Sequence, residues 1–130
     1  MNRSLLNAAL IIALALAAAP AAALNPVQIL KGGPAEYFNE RDLELFIDTL
    51  HKAQDATQPG APIQWENPET KSRGSITVLE LYESKGMPCK VLRIENQARG
   101  RKASGRYNIC QADGKEWKIG PAKKVESKPK

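Results

Sequence analysis

The apolar residues of this chain are concentrated at one end. Residues 5–24 read LLNAALIIALALAAAPAAAL, with Arg3 just ahead of them. A short positive segment, an apolar core from Leu5 to Ala19 and the small residues Ala21-Ala22-Ala23 are the three parts of an export signal, with cleavage expected after Ala23. Pro20 breaks any helix there. As a membrane anchor, the run falls short of the roughly 20 apolar residues that a span requires. Residues 1–23 are therefore read as a signal peptide, after which no segment is apolar enough to cross a bilayer. No Cys stands near the cleavage point, so a lipid anchor on an N-terminal Cys is not expected. Removing 23 residues from 130 leaves 107 with few aromatics, enough for one small domain. That is too little for an enzyme with its own cofactor domain. One His and two Cys exclude a metal cage of several such ligands. No cofactor and no metal are expected.

Export gives the two cysteines a meaning. In a small exported domain two cysteines most often pair, and a loop of about 20 residues closed by such a bond stabilises the fold by roughly 3 kcal/mol. The competing reading of Cys89 and Cys110 is a catalytic or redox thiol; it lacks a C-x-x-C spacing and a second His to activate a thiolate. Residues 88–98 and 102–111 read as two strands of a long hairpin. If Cys89 faces Cys110, antiparallel pairs sum to 199 and the loop reduces to Arg99-Gly100. Alternation from that turn makes 89/110 a non-hydrogen-bonded pair, with Cα atoms about 4.5 Å apart, within disulfide range. Leu92, Ile94, Tyr107 and Ile109 then share the core face, and the cysteines lie with Val91, Arg93 and Arg106 on the more polar one.

The remaining segments suit an α+β domain over residues 39–120: an N-terminal amphipathic helix on a four- or five-stranded antiparallel sheet. Residues 24–38, with Pro26, Gly32, Gly33 and Pro34, read as an irregular lead-in. Asn39 is a candidate N-cap with Glu40 and Asp42 in the first turn. Leu43, Phe46, Ile47 and Leu50 mark one face of a helix over 40–53. His51 sits near its end, where a dipole contact is the expected role. Further strands are expected at 63–65, 75–83 and 116–119, with turns at 66–74, 84–86 and 112–115. Asp113-Gly114 tolerates the positive φ of a type I′ turn. Residues 121–130 form a basic tail without an apolar period, expected to be mobile.

Several of these residues follow a shared order: Trp65-Glu66-Asn67-Pro68-Glu69-Thr70, then Gly74-Ser75-Ile76-Thr77, Gly86 with Cys89, and Cys110 with Asp113-Gly114 and Trp117. The arrangement W-x-N-P-x-[ST], a Gly before a β run, G-x-x-C and C-x-x-D-G-x-W resembles the C-terminal domain of the bacterial 17 kDa surface antigen family. The resemblance covers about residues 40–119. It implies an envelope location (periplasm, outer membrane or secreted) and a binding or structural role, with no catalytic residues to carry over. The chain departs from many such proteins in lacking a lipid-anchor Cys and a glycine-rich segment. It also has one extra residue between Gly114 and Trp117.

Charge divides the chain. Residues 24–84 carry 5 Lys+Arg against 10 Asp+Glu; residues 85–130 carry 13 against 4. Lys90, Arg93, Arg99, Arg101, Lys102 and Arg106 lie on the hairpin and form a candidate anion-binding set for an anionic lipid, lipopolysaccharide or an acidic protein. The plain alternative is a solvated face that keeps the protein soluble. Nucleic acid is not expected, given export and the absence of aromatics between the cations. No nucleophile–base arrangement or phosphate loop is visible, so the chain is read as non-enzymatic. Trp65 and Trp117 are read as packing residues rather than a stacking surface. A second functional reading is an exported inhibitor of a hydrolase, presenting Arg99-Gly100-Arg101 as a rigid loop.

Overall fold

Asn39 starts the helix through both halves of a capping box. Its Oδ1 accepts from the Asp42 N–H at 2.8 Å, and its own N–H donates to Asp42 Oδ2 at 3.0 Å. In the computed structural model, which describes residues 29–114 and 116–120, helix α1 spans Glu40–Asp55. The signal segment, its cleavage point and the basic tail lie outside the described residues. The buried stripe of α1 is Asp42, Phe46, Thr49, Leu50 and Ala53. The helix is thus turned slightly from the face that Leu43, Phe46, Ile47 and Leu50 define. Leu43 is only half-buried, and Asp42 takes the innermost place in the first turn.

Among the described residues five strands form one antiparallel sheet in sequence order: β1 (Ile63–Glu66), β2 (Arg73–Ser84), β3 (Met87–Ala98), β4 (Arg101–Gln111) and β5 (Trp117–Ile119). The fold is α+β, one helix on a five-stranded antiparallel sheet. The β3–β4 register pairs Cys89 with Cys110, Leu92 with Tyr107 and Ala98 with Arg101, which is the pairing the hairpin arithmetic predicts. Arg99 and Gly100 make the turn at φ 48° and 73°, and Lys85 and Gly86 turn β2 into β3 at 52° and 77°. Two successive positive φ values match the right-handed twist of the flanking strands. Between β4 and β5 the loop is longer, because pairing resumes only at Gln111 with Trp117, although Asp113 and Gly114 do take positive φ.

Phe46, Leu50, Ala53, Trp65, Ile76, Val78, Leu92, Ile94 and Ile109 form the core between α1 and one sheet face, with Tyr107 and Trp117 packed at its margin. A bulge between Val78 and Glu80 shifts the β2 register, so Leu81 returns to the helix side opposite Lys90. Cys89 and Cys110 are bonded, with Cα atoms 4.1 Å apart, as the close, non-hydrogen-bonded class of pair allows. A 3-10 turn at Gly33–Tyr37 packs on the β3–β4 hairpin. Among the described residues no helix is long and apolar enough to cross a membrane.

Candidate functional site

The W-x-N-P-x-T segment is a clip, and its centre is a residue outside it. Asp42 is fully buried, and its Oδ1 accepts from Asn67 Nδ2 and from Thr70 Oγ1, both at 2.7 Å. The loop after β1 is folded to deliver those donors. Asn67 Oδ1 accepts from the Glu69 N–H, the Asn67 N–H donates to the Ser72 carbonyl, and Lys71 adopts φ 60°. Pro68 sits exposed at the start of the turn. Burial pushes the Asp42 carboxyl up, but donors from Thr70, the Asn39 backbone, Asn67 and Ser72 together outweigh it and hold the group below its ordinary value. Helix cap and β-turn are therefore joined through one carboxylate. The motif tracks a fold device, with no reactive group in it.

Trp65 and Gly74 form the second motif pair. They face each other across β1 and β2, and the indole lies over the glycine. A Cβ on Gly74 would stand 2.6 Å from Trp65 Nε1 and 2.5 Å from the Glu95 carbonyl oxygen. The ring also meets Phe38 edge-on, with centroids 5.1 Å apart. Trp65 is 5% exposed, so it packs the core as the sequence suggests and offers no stacking surface. Gly74→Ala is expected to cost about 2 kcal/mol by overpacking. Urea denaturation checks this, and a loss under half that size would show that the indole can shift freely.

Lys90 does not belong with the anion-binding candidates. It is 4% exposed, and its ammonium donates to the carbonyls of Ala53 (3.1 Å), Gln54 and Ala56, the last turn and C-cap of α1. It also lies 4.8 Å from the centre of the Trp117 ring. A lysine has three donors and no acceptor, and here each donor meets one carbonyl at the negative end of the helix dipole, that of Ala53 also accepting the Ala56 N–H. Burial pushes its pKa down, while Asp55 nearby opposes the fall. The signal was legible in the hairpin register: Lys90 shares its parity with Leu92 and Ile94, and so faces the core.

The other cations divide in two. Arg99 and Arg101 lie over the Tyr37 ring, 5.3 and 5.2 Å from its centre, tying the hairpin tip to the 3-10 turn. A tip engaged in this way is not a free loop to present to a hydrolase. Arg93, Arg106 and Lys102 lie on the outer sheet face, away from α1, and all three are exposed. Arg93 and Arg106 are direct cross-strand partners. Among the described residues the only ion pair within 4.0 Å is Arg41–Glu44, on the helix. Toward the tip the same face holds a depression of about 790 Å³ lined by Glu66, Arg73, Glu95 and Lys102 among others. Its charges balance, with Arg73 donating to Gln97 and Ser75 to Glu95, both at 3.2 Å. The unbalanced positive charge is at Arg93 and Arg106. Among the described residues no group of three His, Cys, Asp or Glu is placed to hold a metal.

A protein-family model described as 17 kDa outer membrane surface antigen matches residues 52–118. No curated protein and no solved structure matches the chain. The matched segment takes in the Asn67 turn, Gly74, the disulfide and Trp117, but leaves out Asp42 and most of the helix that the clip anchors.

Proposed function

The chain belongs to the 17 kDa outer membrane surface antigen family, and we propose that it serves the cell envelope by binding an anionic envelope component through the outer face of its β3–β4 hairpin. The family is described as one of outer membrane surface antigens, not an enzyme class, and this supports an envelope or exported location. The observation that carries the binding reading is the Arg93–Arg106 pair. Two like charges directly opposite on neighbouring strands destabilise a sheet, and here both are exposed with no acidic partner among the described residues. An anion seated between them removes the repulsion, and each guanidinium can offer two parallel N–H groups to phosphate or carboxylate oxygens. Lys102 adds charge on the same face. The disulfide at the base of the hairpin keeps these cations on a ribbon of defined register.

The reading is tested by sedimentation of the oxidised protein with vesicles. Phosphatidylglycerol vesicles and lipopolysaccharide micelles serve as phosphate sources, an acidic polypeptide as the carboxylate source, and phosphatidylcholine vesicles as the neutral control. The Arg93→Ser/Arg106→Ser variant is expected to bind the anionic surfaces roughly 30-fold more weakly, from about 1 kcal/mol per cation near an anionic surface. Wild-type binding should weaken steeply as salt rises. Unchanged binding by the variant would exclude this face.

A further inference from the structure

Among the described residues the hairpin also has a backbone edge without a pairing strand. β5 pairs with β4 only over Ile109–Gln111, and the Gly120 N–H, donating to the Asn108 carbonyl at 2.8 Å, carries the ladder one residue further. From Lys102 to Tyr107, β4 has a strand on its β3 side alone among the described residues. The Arg99-Gly100 turn makes 98/101 a hydrogen-bonded pair, so residues 101, 103, 105 and 107 turn their N–H and C=O toward β3. Those of Lys102, Ser104 and Arg106 point away from the sheet, as does the Asn108 carbonyl that Gly120 already uses. About 20 Å of strand thus offers alternating donors and acceptors to solvent. Arg101–Ser104 and Arg106 are exposed, and among the described residues no strand covers this edge; the Gly33–Tyr37 turn packs beside it against Ala103.

The side chains along the edge select a partner. β4 contains Arg101, Lys102 and Arg106 and no acidic residue. A second copy of the same edge would set these cations against themselves, which opposes self-pairing. Residues 121–130 hold Lys123, Lys124, Lys128 and Lys130 against Glu126 alone, which is again the wrong sign. Ala103, Ser104 and Gly105 between the charges are small, with the Tyr107 ring lying over Gly105 on the inner face.

We propose that the β4 edge between Lys102 and Tyr107 accepts an extended acidic segment of a partner protein as a sixth, antiparallel strand. The inference rests on the anion-binding reading for its charge selectivity and adds to it a main-chain ladder. In that ladder, residues opposite Lys102, Ser104 and Arg106 share their face and turn their own N–H toward β4. Acidic side chains belong at those positions.

The test uses the full oxidised chain and a capped peptide that alternates glutamate and valine. N-methylation of the glutamates should weaken binding at least tenfold, whereas N-methylation of the valines should leave it nearly unchanged. The amides of Lys102, Ser104 and Arg106 should exchange rapidly in the free protein and become protected when the peptide binds. No loss from either methylated peptide would overturn the proposal, since charge alone would then explain binding. Equal loss from both would overturn it as well, since the alternation of a main-chain ladder would be missing. Protection of those amides without peptide would also overturn it, showing the edge to be occupied by residues 121–130 or a second copy. If phosphatidylglycerol vesicles bind and the peptide does not, the edge proposal falls while the anion reading stands. Selective peptide binding without vesicle binding supports the edge and removes lipid as the anion source.

Discussion

Asp42→Ala should lower the unfolding free energy of the oxidised protein by about 4 kcal/mol at neutral pH, the size expected when one partner of a buried charged network is removed. The Asn67 amide, the Thr70 hydroxyl and the Asn39 N–H would each lose the acceptor they now share. The N-terminal cap of α1 and the β1–β2 turn would loosen together. Asp42→Asn keeps the shape but places an NH₂ group against a donor, so it should lose nearly as much. A loss below about 1.5 kcal/mol would mean that water can replace the carboxylate, and that the clip is not central. The acid response has a definite sign. The Asp42 carboxyl is held below its unfolded value near 3.9. The stabilisation it contributes is therefore complete above that pH and is lost as pH falls through the lower folded value. The Asp42→Ala variant lacks this contribution, so its stability curve should approach that of the wild type in strong acid. Chemical denaturation at a series of pH values reads both effects.

Replacing both cysteines, Cys89→Ala with Cys110→Ala, should cost about 3 kcal/mol, the unfolded-chain entropy released when a loop of this length is opened. The two residues are 21 apart in sequence and are neighbours in the ladder. The register, however, is also set by the Arg99-Gly100 turn and by Leu92, Ile94 and Ile109 in the core. The variant should thus remain folded with Leu92 still opposite Tyr107, observable as a cross-strand contact by nuclear magnetic resonance. A slipped register in the variant would show that the bond aligns the strands as well as stabilising them. Vesicle binding should fall little if Arg93 and Arg106 stay paired.

These two sites differ in how far they could be read from residues alone. The hairpin was open to arithmetic because strand alternation has a period of two. One cysteine pair and one turn therefore fixed ten cross-strand pairs and the core face at once. Lys90 obeyed the same parity, yet its charge grouped it with surface cations. Only the arrival of the end of α1 above it supplies the three carbonyls that make burial of an ammonium tolerable. Asp42 was visible as a first-turn acid. Its place at the centre of the clip depends on Asn67 and Thr70, 25 and 28 residues away. Helical periodicity weights apolar residues, so it pointed to Leu43, whereas the hydrogen bonds to Asp42 rotate the first turn inward.

Local chemistry in the chain was enough to determine the α+β class, the helix cap, the turns at Lys85-Gly86 and Arg99-Gly100 and the partner of each cysteine, because caps, positive-φ turns and strand alternation act over a few residues. Tertiary packing decided which charges face solvent. It buried Lys90 and Asp42 against partners distant in sequence and drew Arg99 and Arg101 onto Tyr37. Among the described residues it left Arg93 and Arg106 without an ion-pair partner and the β4 edge beyond Asn108 without a pairing strand. The physical reason is desolvation: whether a charged group can be buried depends on donors and acceptors brought to it by other elements, and that information is spread over the whole fold.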